Sequence, residues 1–371
     1  MSTTPLSPRA RGPLHVVQLV GAGSAGTGEH VRSLAAGLVA RGVLVTVCAR
    51  PGVAERYGYS GTGARLAVLP FHVLSRAITR VRAVSADADL VHAHGMRAGL
   101  LAALALRRRG LPLVVTWHTR SAVGGARSRL GRFGERRVAR AASVVLGATS
   151  DLVERARRRG ARDARLAPVA LPGPWESAEG GEGEPDPHKI RAALGAAGHP
   201  LIVTAGPLTA DQGHHVLLTA LRGLGPQPPL LLIVGEGPER AVLQRRIDRE
   251  RLPVRLLGDR EDLPQLLAAA DVMVLASRWE ARSAPAQEAL RRGVPLVATE
   301  VGGTPELVGG AAVLVPFGDP EALGAAVAGL LADPARRRAL AEAGRRRAAR
   351  WPTEHSTVAQ VLSIYDELTA P

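Results

Sequence analysis

The chain has 371 residues, 46% hydrophobic and 22% charged, a composition that suits a soluble protein of two ordinary domains better than one large core. A formal charge of +15 raises the question of nucleic acid, but aromatic residues are only 3% and do not interleave with the arginines, which excludes a base-stacking platform. Cys48 is the single cysteine, so no internal disulfide forms, and no run approaches the ~18 apolar residues that cross a bilayer.

The N-terminal "MSTTPLSPRARGP" is polar and has no signal-peptide core, so a cytoplasmic protein is expected. From His15 the chain alternates β-branched runs with Ala/Leu/Arg stretches of helical period. The strands read as "HVVQLV", "LVTVCA", "RLAVLP", "DLVHAH", "LVVTWH" and "SVVLGA", with helices such as 29–41 and 95–109 between them. Residues 171–188, "LPGPWESAEGGEGEPDPH", lack an apolar period and read as an interdomain linker. A second series follows: "LIVTAG", "LLLIVG", "VRLLG", "DVMVLAS", "PLVAT" and "AAVLVP". The pattern predicts an α/β protein of two doubly wound parallel sheets: a domain over 1–172, a linker over 173–198, a second domain over 199–350 and a last helix within 351–371. The arginine clusters "LRRRG", "RARRRG", "ARRRAL" and "GRRRAAR" are each expected near a helix end, where the dipole favours cations.

The first strand runs into "GAGSAGTGEH", in which Gly21, Gly23 and Gly26 give G-x-G-x-x-G. A dinucleotide site needs an acid ~20 residues later to bind ribose. Here the next strand ends "VCARPG" and offers Arg50, while Gly28 lengthens the loop and puts the expected helix start at Glu29. Only an NADP variant, and with it an oxidoreductase, survives that test. Otherwise the loop is an anion cradle of backbone N–H groups or a plain tight turn.

In the second half, Glu280 and Glu288 bracket a strand-to-helix loop in "LASRWEARSAPAQEALRRGVPLVATEVGGTPELVGG", with Ser283 and Pro285 suited to the helix start. Two carboxylates spanning such a turn suit the vicinal hydroxyls of a ribose and a hexose.

This segment resembles the retaining GT-B glycosyltransferases of family 4, which carry E-x7-E in this context followed by a "GVPLVAT…GG…E" stretch. The glycine loop with "EHVRSLAAGLVARG", "DLVHAHG", "VVTWHT", "ATSDLVERARRRGA" and "LLIVGEGPERAVLQRRI" resemble landmarks of that family in the same order. The resemblance implies two Rossmann-like domains facing a cleft and a metal-independent transfer of a sugar, hexosyl or N-acetylglucosaminyl, from a nucleotide diphosphate sugar to a hydroxyl acceptor. The donor would be a co-substrate, with no cofactor and no metal. It further implies that Glu288 takes the nucleotide ribose, Glu280 a donor-sugar hydroxyl, and backbone near Gly258 to Arg260 the base. His118 matches the family's histidine beside the donor sugar. The Gly21–Gly28 loop would lie against phosphate or acceptor, and the C-terminal helix would cross back onto the first domain.

One motif departs from the family. Its usual diphosphate ligands, Arg and Lys in G-R-L-x-x-x-K-G, are Pro207 and Gln212 here, and the only lysine, Lys189, lies elsewhere. Arg278, Arg282, His214 and His215 are candidates to compensate, with the N–H groups of the loop through Ser283; a non-catalytic GT-B-like binding protein is the alternative. The paired His92 and His94 are expected to be structural. Residues 127–142, "RSRLGRFGERRVARAA", set Leu130, Phe133 and Val138 among arginines and fit either an anionic bilayer at the inner membrane face or a basic helix packed on its own domain. Arginine-rich, lysine-poor drift suggests an actinobacterial-type source, and such relatives make inositol phosphate, a lipid or an envelope precursor plausible acceptors.

Overall fold

The computed structural model describes residues 12–21, 25–120, 125–170, 186–225 and 228–370. The chain divides into two compact units, one of residues 1–172 with 352–371 and the other of residues 173–351.

Among the described residues the first unit carries seven strands: β1 (His15–Val20), β2 (Leu44–Ala49), β3 (Arg65–Val68), β4 (Leu90–His94), β5 (Leu113–Trp117), β6 (Val144–Gly147) and β7 (Ala164–Leu166). They form one parallel sheet in the order β3-β2-β1-β4-β5-β6-β7. The second unit carries β8 (Leu201–Ala205), β9 (Leu230–Val234), β10 (Val254–Gly258), β11 (Val272–Leu275), β12 (Leu296–Thr299) and β13 (Val313–Val315), parallel in the order β10-β9-β8-β11-β12-β13. The central strands are buried on both faces, which is why they read as continuous apolar runs. Each sheet reverses its winding once, at β1/β4 and at β8/β11. Ligands of doubly wound sheets collect at the carboxyl ends of the strands beside such a reversal.

Helix ends depart from the sequence reading in three places. The first helix is Ala25–Val39 and begins four residues before Glu29, so Gly26 and Gly28 are helical. Gly28 serves packing, because a Cβ there would collide with the Tyr57 ring. Second, the helix expected to reach residue 109 ends at Ala105; Arg108 and Gly110 turn left-handed with φ of 65° and 69°. Third, the "ARRRAL" arginines sit in the first turn of the Pro334–Ala348 helix, the unfavourable end for a cation. Their placement is offset because Arg337 Nη1 donates to the carbonyls of Leu330 and Leu331, 2.6 Å each, and so caps the preceding Pro320–Ala332 helix. Residues 187–193, read as linker, form a helix whose Ile190 packs on the second unit's core, with Arg191 on Asp271.

The last helix, Glu354–Thr369, opens with a Thr353/Ser356 capping box and belongs to the first unit. Val358, Val361, Ile364 and Tyr365 join that unit's core, each aliphatic side chain contributing about 1.5–3 kcal/mol by burial. Gly37 makes the close approach possible: a Cβ there would stand 2.5 Å from Val358 Cγ2. On the far side of the sheet, buried Glu135 accepts from Arg155 (2.7 Å) and Arg159 (2.8 Å), tying the Gly125–Ala141 helix to the Ser150–Arg158 helix and the residue after it.

Candidate active site

In the second unit the polar groups meet at the β8/β11 reversal. After β8 the chain passes Gly206 and Pro207, makes a 3-10 turn over Ala210–Gln212, and enters the His214–Arg222 helix through Gly213, whose φ is 70°. Glycine is required at 213 because a Cβ would strike the Ala276 carbonyl at the end of β11. This close approach brings Gln212 beside Glu280: Gln212 Nε2 donates to Glu280 Oε1 at 3.3 Å, and Ser277 Oγ donates to Gln212 Oε1 at 3.4 Å. Burial pushes the Glu280 carboxyl above the ordinary carboxylate range, against the lowering effect of its bonds to Ser277 and Gln212. The Glu280 backbone is fixed too. Its carbonyl accepts from Gly303 N–H at 2.8 Å, and a Cβ on Gly302, which has φ 55°, would collide with it. The "GG" after β12 therefore shapes the Glu280 loop.

Glu288 stands in the second turn of the Ala284–Arg292 helix, capped by Ser283, which accepts from Ala286 N–H. It is only 2% exposed, and its carboxylate accepts from Arg292 Nε at 2.6 Å with Arg291 3.9 Å away. Gly258 closes β10 with φ 75° and its carbonyl accepts from Gly235 N–H. Arg260 forks onto Asp262 at 2.7 and 2.5 Å.

Of the candidate cations, Arg278 is beside the Pro207–Gln212 turn. Its backbone N–H donates to Asp211 O at 2.7 Å, and its exposed guanidinium lies 3.7 Å from Asp211 Oδ1 and 5.0 Å over the Phe317 ring. Arg282 turns inward, 5.9 Å over the Trp351 ring, and burial lowers its pKa to about 10. His214 is buried and donates from Nε2 to the Pro207 carbonyl at 3.3 Å, while His215 faces Glu239 at 3.5 Å. His214 thus braces the Pro207 end of the turn through its backbone, while His215 is engaged with Glu239.

In the first unit the β1/β4 reversal is lined by histidine. His92 and His94 come from β4, His118 follows β5, and His30 stands on the Ala25–Val39 helix; all four are buried. His94 Nδ1 is 3.4 Å from His118 Nε2, and the His30 ring lies edge-on to both at 5.7 and 5.4 Å. Burial holds these imidazoles neutral, with His30 at about 4, His92 at about 3, and His94 and His118 well below the usual value. His30, His94 and His118 offer ring nitrogens within 4.8 Å of one another. Gln18 and Tyr365, absent from the sequence-level site, complete this cluster; the legible signal was one amide in the otherwise apolar strand "HVVQLV". Gly21 keeps a φ open to any residue, and a Cβ there would make only ordinary contact, 3.5 Å from Arg97 Cβ and Ala98 N. Gly23 lies outside the described residues.

Two parallel, doubly wound units, each with its polar groups at the winding reversal, define the GT-B class. Solved structures share it. Anabaena Alr3699/HepE in complex with UDP superposes with TM-score 0.81 at 20% identity over 95% of this chain and 100% of that one. WaaG, a glycosyltransferase involved in lipopolysaccharide biosynthesis, does so with TM-score 0.70 at 18% identity over 96% and 100%. Residues 187–347 match the family described as glycosyl transferases group 1, and residues 25–172 match the glycosyl transferase 4-like domain. The D-inositol 3-phosphate glycosyltransferase of Xylanimonas cellulosilytica is 31% identical over 76% of this chain and 72% of its own length. A GDP-mannose-dependent alpha-(1-6)-phosphatidylinositol monomannoside mannosyltransferase of Mycolicibacterium smegmatis is 33% identical over 48% of this chain and 52% of its own. The chain belongs to the family 4 glycosyltransferases of GT-B fold, enzymes that use nucleotide-sugar donors. The oxidoreductase reading of the glycine loop falls with that result.

Proposed function

We propose that the protein transfers a sugar, with retention of anomeric configuration and without a metal, from a nucleotide diphosphate sugar to a hydroxyl acceptor. The observation that carries this reading is the Ser277–Gln212–Glu280 cluster, a carboxyl group locked by its backbone and with its pKa raised by burial, at the strand ends beside the winding reversal where ligands of doubly wound sheets collect. Glu280 takes a donor-sugar hydroxyl, Glu288 the ribose, and the backbone from Gly258 to Arg260 the base. Arg278 meets the diphosphate. His118 stands beside the donor sugar, with the Gly21–Gly28 segment against phosphate or acceptor. In the transfer, the acceptor oxygen bonds to the anomeric carbon as the bond from that carbon to the phosphate oxygen breaks, and the acceptor proton passes to the departing phosphate. The protein's share is positioning and charge stabilisation, so a dedicated carboxylate base is not needed.

The relatives' names support an inositol phosphate or an inositol lipid as the acceptor class, with an envelope precursor as the wider class. A lipid acceptor gains support from the Gly125–Ala141 helix. Leu130 and Phe133 are 74% and 64% exposed there, and Phe133 lines a groove of about 560 Å³ shared with Arg107, Arg108, Arg136 and Arg137. Val138, by contrast, is buried on the Gly99 side of its helix. Among the described residues no helix is long and apolar enough to cross a membrane. The exposed Leu130 and Phe133 beside these arginines support the reading of a peripheral contact with an anionic inner membrane face.

A donor screen by product detection, with and without chelator, tests the reading, with the product's anomeric configuration read by NMR. Saturable donor binding weakened by Glu288→Ala and turnover lost in Glu280→Ala are the expected results. A folded protein that binds no common sugar nucleotide overturns it in favour of the binding-protein alternative. Sedimentation with phosphatidylglycerol vesicles tests the surface: salt-sensitive binding is expected, and its absence removes the membrane.

A further inference from the structure

The first unit's polar cluster is a continuous chain with a direction. Gln18 Nε2 donates to the Tyr365 hydroxyl at 2.9 Å. That hydroxyl lies 2.6 Å from His92 Nδ1, and His92 Nε2 lies 2.7 Å from Thr116 Oγ1. On the other side, His94 Nε2 is 2.6 Å from Gln18 Oε1. An amide oxygen can only accept, so His94 carries its proton on Nε2. A neutral imidazole has one N–H, so His94 Nδ1 is a lone pair, and it faces His118 Nε2 at 3.4 Å. His118 must then present Nε2–H to it, which leaves Nδ1 as the acceptor nitrogen of His118. The Tyr365 hydroxyl, having accepted from Gln18, gives its proton to His92 Nδ1, and His92 Nε2–H ends the chain on Thr116.

We propose that Tyr365 and Gln18 are positioning residues for His118: through His94 they fix its tautomer as Nε2–H and hold its ring. The C-terminal helix thereby has a task beyond covering the sheet: with its one proton given to His92 Nδ1, the Tyr365 hydroxyl offers Gln18 only lone pairs, which holds the amide with Nε2 toward Tyr365 and Oε1 toward His94. With Gln18 reversed, its Nε2 would donate to His94, His94 would carry the proton on Nδ1, and His118 Nε2 would become the lone pair. The effect on catalysis rests on the reading that His118 stands beside the donor sugar; the tautomer itself does not.

The test is side-chain 15N NMR of the full chain labelled at histidine, with turnover measured on the same samples. The wild type should show a protonated Nε2 and an unprotonated Nδ1 for His118, assigned by its loss in His118→Asn. Tyr365→Phe and Gln18→Leu should mix or reverse that tautomer, and lower kcat about 10-fold with little change in the donor KM. Gln18→Glu, whose carboxylate still accepts from His94 Nε2, should keep the wild-type tautomer and most of kcat. That variant keeps the question answerable if Tyr365→Phe fails to fold. Overturning results are a His118 protonated on Nδ1, a tautomer unmoved by either removal, or one equivalent of Zn2+ held by His30, His94 and His118, since binding requires lone pairs on the facing nitrogens. If no donor is ever turned over, the glycosyl-transfer reading fails while the NMR result still decides the chain.

Discussion

The two units share a winding, a reversal point and a polar cluster beside it, yet the clusters are chemical opposites. At β1/β4 the connected groups are imidazoles, an amide, a hydroxyl and a phenol, all neutral. At β8/β11 they are a carboxylate, an amide and a hydroxyl, with Arg278 next to them. The fold supplies the location and leaves the chemistry to side chains. The opposition predicts opposite responses to acid. A histidine whose folded pKa lies below its unfolded value favours the unfolded state once pH falls below about 6.5, by up to about 1.4 kcal/mol per pH unit. His30 at about 4 and His92 at about 3 therefore cost the first unit on the order of 5 kcal/mol by pH 4.5. Glu280 has the reverse sign: its raised carboxyl contributes stability below its unfolded pKa that is lost as pH rises through the folded one. Hydrogen exchange between pH 7 and 4.5 should show the first unit opening before the second, and equal loss in both would break the contrast.

The buried glutamates sharpen it. Glu135 in the first unit and Glu288 in the second are 1% and 2% exposed. Glu135 is neutralised by arginines of another segment, so it joins two parts of the fold; Glu288 is neutralised by Arg292 of its own helix. Removing Glu135 strands two inward guanidinium groups. Glu135→Ala should cost about 3–5 kcal/mol, measured by urea unfolding. Glu288→Ala should be far milder in stability while reducing donor affinity, because an i,i+4 partner can release the carboxylate to a ribose. A destabilisation of Glu288→Ala equal to that of Glu135→Ala would make Glu288 a structural ion pair as well.

Glu280→Gln separates stability from chemistry. Replacing a carboxyl that burial already disfavours as an anion should raise the thermal midpoint at pH 7.5, and the lost charged hydrogen bond to the donor should lower kcat/KM about 10- to 100-fold. A lower midpoint would show that the anion is held by more than Ser277 and Gln212.

Much of this was legible in the chain, for identifiable reasons. Parallel strands declare themselves as apolar runs, so twelve of the thirteen in the described residues were readable, even β3, whose Leu66-Ala67-Val68 run is apolar although only Ala67 is buried; β7 escaped because it is three residues long with Arg165 at its centre. Glu280 and Gln212 were visible as motif positions. Their contact across 68 residues was not, since it depends on Gly213 meeting Ala276. The Gln18–Tyr365 bond joins residues 347 apart, and nothing local in either segment announces the other. The helix start failed because Gly28 is explained by Tyr57, a packing partner that the loop's own residues do not reveal.

The smallest expected effect bears on the most unusual feature. Gln212 lies over Gly206, whose absent Cβ makes room for it, and its amide already reaches the Glu280 carboxylate. Gln212→Lys would put an ammonium there, pairing with Glu280 and adding the charge that the family places against the diphosphate. Turnover should rise about 10-fold, equivalent to one charged hydrogen bond of about 1.4 kcal/mol. The gain should be largest in Arg278→Ala, because the exposed Arg278 guanidinium otherwise supplies charge from the same turn. If Gln212→Lys changes nothing in either background while the donor still binds, the second unit holds its diphosphate without a cation at this turn. Backbone N–H groups, such as those beside Ser283, would then carry the charge instead.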